Sequence, residues 1–388
     1  MSKAKTSSDA PPLTILHMVS LMGMGGRCAT ALRQVRLLSS RGHRVIMGCL
    51  ENSSAAERCR EMGLPVYDGF SFRRGFHPLS FWKDCRLMKS ICREHNVDVI
   101  HAHLSQESWV VCLGAGRISP RPAVIRSRGV VVPVKPHLFN RWMHNTLTDH
   151  LVAPSKVIYD HVSTLPYFDR SRVSLIADGV DTARFSPQND GAAIREEFKV
   201  PTGAPLVVMV ARLERVKGHE IFFRALAKLI QQKSIPNLRA LCACDERTAG
   251  MFDKTVRQAR DLGCGEEVLS FTGMRGDVEK ILAAADVIAL PSLGSEGSSR
   301  VALEGGASGK PIVASAVGCL PDVIRDGVTG IIVKPKDPDA LAGALKTLLE
   351  NEALRTKMGR AARERVEKNY DETMMIEQLE KVYRNACK

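Results

Sequence analysis

A chain of 388 residues is too long for one ordinary core and matches two domains of roughly 150 to 200 residues each. Its hydrophobic fraction of 44% and charged fraction of 25% are ordinary for a soluble globular protein, and no apolar run approaches the ~18 residues of a membrane-spanning helix. The formal charge of +13 is uneven, about +11 in residues 1–180 and +2 in residues 181–388, so the first half is expected to meet something anionic: nucleic acid, a phospholipid surface or a phosphorylated acceptor.

Residues 1–12 hold Lys, Ser, Thr and two prolines without an apolar segment and read as a flexible tail, not a signal peptide. The expected location is the cytoplasm, at most peripheral at the inner face of the membrane. The 11 cysteines are scattered without paired C-x-x-C units, so buried free thiols are expected and no metal. Leu13 to Val19 predicts a first strand, and the Gly23-Met-Gly-Gly26 loop leads into a helix carrying Leu32, Val35, Leu37 and Leu38. This is a Rossmann-like opening, although Cys28 stands where the dinucleotide fingerprint wants a small residue. Arg41-Gly-His43 and Val45 to Leu50 give the helix end and a second strand.

Two segments interleave cations with aromatic residues. The first, from Phe70 to Trp82, holds Arg73, Arg74 and His77; the second, from Arg117 to His144, holds Arg121, Arg126, Arg128, Lys135, Phe139, Arg141 and Trp142. Such a mixture suits an anionic bilayer interface or a charged acceptor. It also suits single-stranded nucleic acid, but no periodic RNA-binding signature accompanies it and nucleic acid is not expected. Asp98 to His103 reads as a strand that delivers His103 to the carboxyl edge of a sheet, and Leu151 to Ser155 as another.

The second domain begins near Pro205 with the β-branched run Leu206 to Val210, followed by Arg212 and Lys217 ahead of a helix from Glu220 to Gln231. Two cations between a strand and a helix can reach one diphosphate, Arg as a fork and Lys as a point charge. Leu269 to Gly273 predicts a further strand and turn. Between Asp286 and Ser315 comes a buried strand, a loop with Glu296, a helix from Ser299 to Ser308 carrying Glu304, and a second strand. The loop that enters a helix in a parallel α/β sheet is where anions bind, here through the N–H groups of Ser298, Ser299 and Arg300. Phosphate acceptance beside two carboxylates suited to hydroxyls points to a nucleotide sugar. Asp337-Pro-Asp339 is read as a helix cap, and Gly305 to Lys310 lacks the spacing of a nucleotide-triphosphate loop. A closing helix is expected from Glu372 to Tyr383.

Taken together, Glu296, Gly297, Glu304, Ala307, Gly309, Lys310 and Pro311, with Val317, Gly318, Pro321, Asp326, Gly327, Thr329 and Gly330 after them, resemble the signature of the retaining GT-B glycosyltransferases called group 1, or family 4. Arg212-Leu-x-x-x-Lys217-Gly218 and Asp98-Val-Ile-His-Ala-His103 are similar to two further motifs of that family, and Ile176 to Pro187 to its interdomain segment. The chain departs from the pattern at Ser298-Ser299-Arg300, at Gly305-Gly306, and at Asp178, read as a turn or cap.

The resemblance implies two Rossmann-like lobes facing a cleft, with residues 13–180 and the helix within 370–388 forming the acceptor side and residues 181–369 the donor side. It implies donor binding at Gly25, Gly26, Arg212, Lys217, Gly273, Ser298, Ser299, Arg300 and Glu304, with catalytic roles for His103, Glu296, Arg212 and Lys217. His103 and Glu296 would hold the transferred sugar, Glu304 the ribose diol, and no metal or cofactor would be required. The donor would be a UDP-sugar in preference to a GDP-sugar, and the basic first half favours a lipid-linked or lipopolysaccharide acceptor of the cell envelope. Two alternatives remain open on sequence: an NAD-dependent dehydrogenase or epimerase using Gly23 to Gly26 and Glu51, and a non-catalytic glycan-binding relative.

Overall fold

The computed structural model describes residues 11–388 other than 74, 76, 130, 132–136, 245–249 and 295, so the first ten residues of the expected tail, and the cations Arg74 and Lys135, lie outside the described residues. The chain divides into two compact units, one made of residues 1–178 and 375–388 and the other of residues 179–374.

The first unit is built on a seven-stranded sheet. Its strands are β1 (Thr14–Val19), β2 (Arg44–Leu50), β3 (Val66–Phe70), β4 (Val99–Ala102), β5 (Ala123–Ser127), β6 (His150–Ala153) and β7 (Val173–Leu175). They lie in the order β3-β2-β1-β4-β5-β6-β7, every neighbouring pair parallel. Each β1 to β6 strand is followed by a helix, as a parallel sheet requires. Both faces are buried, and the period-2 alternation divides them: Ile15 and Val19 enter one core, Leu16 and Met18 the other. The closing helix, Glu372–Ala386, buries Met375, Ile376, Leu379, Val382 and Tyr383 in the first of these cores.

The second unit has a six-stranded parallel sheet in the order β10-β9-β8-β11-β12-β13. These strands are β8 (Leu206–Val210), β9 (Arg239–Ala243), β10 (Leu269–Phe271), β11 (Val287–Leu290), β12 (Ile312–Ser315) and β13 (Gly330–Val333). Val207 and Met209 face one core, Leu206 and Val208 the other. The helix Arg300–Ala307 contains the two interior glycines, and packing explains them: a Cβ on Gly305 would stand 2.4 Å from Ile288 Cδ1, and one on Gly306 2.8 Å from Val366 Cγ2. The ~1 kcal/mol of helix propensity that each loses relative to Ala is offset by close approach of the sheet and of the helix Glu352–Asn369.

Both sheets reverse strand order in the middle, between β1 and β4 and between β8 and β11. At such a switch point the loops leaving the two adjacent strands diverge and leave a crevice for a ligand. The residues singled out from sequence fall largely on these loops.

Candidate functional site

In the second unit, β8 leads into the loop holding Arg212 and the short 3-10 turn Arg215–Lys217, and β11 leads into the loop holding Glu296. The two loops are joined by the Leu293 N–H donating to Val216 O at 2.7 Å. Lys217 Nζ donates to Glu296 Oε1 at 2.7 Å, and the Ser292 hydroxyl donates to the same oxygen at 2.5 Å. Glu296 is held from behind as well, its carbonyl accepting the Cys319 N–H at 2.8 Å. The Glu296 side chain is 7% exposed and that of Lys217 21%, so the pair has one open flank, on the lysine.

The other predicted groups of this unit are also internally paired. Arg212 bonds Glu214, Nη1 to Oε1 at 2.6 Å, and Arg300 Nη2 donates to Glu304 Oε1 at 2.7 Å one helical turn away. Ser299 is the N-cap residue of the helix Arg300–Ala307, makes no side-chain cap bond, and is buried; Ser298 precedes it, half-buried. The helix thus begins one residue later than the pattern predicts, with Ser298 and Ser299 in the loop and Arg300 as the first helical residue. Gly273 follows the edge strand β10, at φ +69°, and among the described residues no hydrogen bond joins it to the Lys217–Glu296 pair.

In the first unit, the loop leaving β1 carries Gly25, the N-cap of the helix Gly26–Ser40, and the loop leaving β4 carries His103. Beyond its chain neighbours and its own helix backbone, no described atom lies within 4 Å of where a Gly26 side chain would start. His103 is buried and does not stand alone. The β1/β4 register sets His17 opposite His101 on one sheet face, and His103 Nε2 lies 2.8 Å from His17 Nδ1. The His101 and His103 rings stack at 4.2 Å. His101 is bonded on both nitrogens, Nδ1 to Tyr383 Oη at 2.6 Å and Nε2 to Ser127 Oγ at 2.8 Å. Burial drives the His17 imidazole down to about 3 and holds His101 and His103 well below the ordinary histidine range, so the cluster is neutral at pH 7.

One nitrogen from each of the three histidines lies within 4.8 Å of the others, the spacing of a metal triad. The bonds described occupy both nitrogens of His101 and the facing nitrogens of His17 and His103, which makes the cluster a hydrogen-bond network in its present arrangement. The sequence motif singles out His103 alone of the three and misses His17, whose partner lies 86 residues away in the chain. Glu107 was missed too. It accepts the Ser20 hydroxyl at 2.5 Å and the N–H groups of His103 and Leu104 at 3.1 and 2.6 Å, and burial raises its carboxyl to about 7. An acidic residue three positions into a helix is a capping signal that the sequence did carry.

The basic-aromatic segments divide in the structure. Phe70 and Phe72 stack at 5.0 Å inside the core, which corrects the expectation that the whole first segment is a surface. Leu79 and Trp82 on the helix Pro78–His95, and Leu138, Phe139 and Trp142 on the helix Leu138–Thr146, are exposed. Arg117 lies over the Trp82 ring at 4.4 Å, and Trp109 stacks on Phe139 at 4.5 Å. Arg126, expected among the surface cations, is buried on β5. Asp178 is buried and accepts the Thr30 hydroxyl at 3.1 Å, a bond between two segments in place of a local cap.

A family model for glycosyl transferases group 1 matches residues 190–365, and one for glycosyltransferase family 4 matches residues 24–184. The chain belongs to the group 1, family 4 glycosyltransferases. A D-inositol 3-phosphate glycosyltransferase of Corynebacterium efficiens is 34% identical to this family member over 223 residues, 56% of this chain and 52% of the relative. The chain therefore matches about half the length of that curated relative. A glycosyltransferase from Rickettsia africae covers 98% of this chain and 100% of its own at a TM-score of 0.88 and 21% identity. Anabaena HepE, solved with UDP-glucose, covers 96% and 100% at 0.80 and 19%. These likenesses show the GT-B fold, as the sequence motifs implied. No described helix is long and apolar enough to cross a membrane.

Proposed function

We propose that this chain transfers a sugar from a nucleoside diphosphate sugar to a hydroxyl of a lipid-linked or cell-envelope glycan, with retention of anomeric configuration. The observation that carries the reading is the second unit's switch point, where loops from β8 and β11 bring Lys217 against Glu296 beside the start of a helix. On binding, Lys217 and Arg212 would turn from Glu296 and Glu214 to the donor diphosphate. Two fixed cations stabilise the charge that grows on the departing diphosphate, and so bind the transition state more tightly than the ground state. This is the electrostatic work that a divalent metal does elsewhere.

Glu296, relieved of Lys217, would accept sugar hydroxyls, and Glu304 the ribose diol. His103 is assigned to the transferred sugar, as a neutral imidazole that offers a hydrogen bond without a charge. A UDP-linked donor is favoured, and the UDP-glucose bound to the HepE neighbour supports that choice.

For the acceptor, exposed Leu79 and Trp82 with Arg117, and exposed Leu138, Phe139 and Trp142 with Arg141 on the same helix, supply amphipathic, cationic surfaces suited to an anionic bilayer. The test is release of nucleoside diphosphate from a panel of UDP-, GDP- and ADP-sugars, with Lys217→Met as control. Turnover of one donor, absent in the variant, is the expected result; no turnover of any donor with an anionic lipid extract present would contradict the proposal.

A further inference from the structure

Arg126 presents an electrostatic problem that the described residues do not solve. It lies on β5 with 8% of its surface exposed and makes no salt bridge with a described carboxylate. Its Nη1 reaches only Thr148 Oγ1, at 3.4 Å, and its Nε has no hydrogen-bond partner. An ion taken out of water without a counter-charge costs several kcal/mol. A protein retains such a group where an anion comes to it.

The surroundings fit an anion. Arg126 lines a cavity of about 40 Å³ within the first unit, together with Arg27, Arg128, Ser108, Gly129 and His144. A single water needs about 10–15 Å³, so the space admits a group of several atoms. Among the described residues no carboxylate lines it. Glu107, the buried acid nearby, already accepts from Ser20, His103 and Leu104.

Arg27 reaches the cavity from the start of the helix Gly26–Ser40 because residue 129 is glycine: a Cβ there would stand 1.7 Å from the Arg27 Cζ. Buried His144 adds an Nδ1 without a partner. The cations are felt across the cavity, since burial first, then Arg126 and Arg128, drive His144 down to about 3, and burial followed by Arg126 lowers Arg128.

We propose that this cavity binds a phosphoryl group carried by the acceptor. Three guanidinium groups match the several oxygens and double charge of a phosphate better than a single carboxylate. His103 lines the same cavity, which sets the anion beside the residue assigned to the transferred sugar. The inference rests on the reading of the first unit as the acceptor side, and it adds the chemical class that acceptor belongs to.

The test titrates inorganic phosphate, and separately UDP, into the full-length wild type and into Arg126→Met, Gly129→Ala and Arg212→Ala by calorimetry. Phosphate affinity is expected to fall about tenfold or more in Arg126→Met and in Gly129→Ala, and to persist in Arg212→Ala. UDP affinity should do the reverse. Without phosphate, Arg126→Met should melt no lower than the wild type, because it removes a buried charge, and phosphate should raise the melting temperature of the wild type alone of the two.

Gly129→Ala keeps every charge and displaces only the Arg27 guanidinium, so it holds the test open should the Met variant fold poorly. Phosphate binding unchanged in Arg126→Met, or lost only in Arg212→Ala, would overturn the proposal while leaving the donor site standing. Absence of UDP binding in every protein would instead refute the transferase reading. Glucose 6-phosphate and vesicles containing phosphatidic acid then compete for bound phosphate. Displacement by the first assigns a soluble phosphorylated acceptor and by the second a lipid phosphate, and displacement by neither overturns the assignment to an acceptor.

Discussion

Replacing Lys217 by Met separates the stability of the second unit from its affinity for the donor. Lys217 Nζ and Glu296 Oε1 are 2.7 Å apart, with the carboxylate side chain 7% exposed and the lysine 21%. A charge-assisted hydrogen bond contributes about 1.5–3 kcal/mol, and stripping one partner from a fully buried pair costs about 3–5 kcal/mol. The lysine is partly solvated and Ser292 still donates to Glu296, so the low end applies, about 2 kcal/mol, or about 4–8 °C in the melting temperature of a unit this size.

The double variant Lys217→Met with Glu296→Gln removes both charges and should regain most of that loss. Affinity should behave differently. UDP loses one charge-assisted bond in either lysine variant and should bind about tenfold to a hundredfold more weakly in both. Glu296→Gln alone should bind UDP at least as well as the wild type, since the lysine is no longer shared. Differential scanning fluorimetry and calorimetry on the four proteins measure both quantities. Full UDP affinity in Lys217→Met, or its recovery in the double variant along with stability, would refute the assignment of Lys217 to the diphosphate.

Burial raises the Glu107 carboxyl to about 7, above its ordinary value, so the folded state holds a proton that the unfolded chain releases between those two values. Its contribution therefore falls as pH rises through that window, and Glu107→Gln should gain stability relative to the wild type between about pH 5 and 8 in urea unfolding. The histidines carry the opposite sign. His17, His101, His103 and His144 are held neutral by burial, so the unfolded chain binds more protons below about pH 6.5 and the first unit should lose stability steadily on acidification. Amide exchange at pH 7 and 5 should show protection falling more in β1 and β4 than in β8 and β11; equal losses would contradict this. Trp82→Ser with Phe139→Ser should abolish salt-sensitive flotation with phosphatidylglycerol vesicles and leave UDP affinity unchanged.

Much of the donor-side unit was legible in the sequence because its signals are local. The run Leu206 to Val210 is β8 as read, Val287–Leu290 and Ile312–Ser315 fall inside the predicted strands, and Arg212, Lys217 and Glu296 lie on strand-to-helix loops where the motifs placed them. What sequence could not show was who bonds whom. The Arg300–Glu304 bond is an ordinary helical contact once both lie on one helix, yet it gives the unusual Arg300 a partner in the carboxylate expected to meet the ribose.

The Gly305-Gly306 pair looked like a loss of helix propensity and is a consequence of Ile288 and Val366 pressing on that helix. In the first unit the histidine cluster depends on parallel register between strands separated by two others in the chain, which no spacing rule reveals. Arg126 looked like a surface cation because charge is usually exposed. Its side chain is buried on β5, and only the packed structure shows that no described carboxylate pairs with it.

The central claim is that the second unit binds a nucleoside diphosphate through the loops after β8 and β11. Calorimetric titration of UDP, GDP, ADP and NAD into the wild type and into Arg212→Ala tests it most directly. The account predicts that one nucleoside diphosphate, UDP before GDP, binds the wild type and is lost in the variant, with no binding of NAD. Binding of NAD alone, undiminished in Arg212→Ala, would move the nucleotide to the Gly23–Gly26 loop of the first unit and contradict the account.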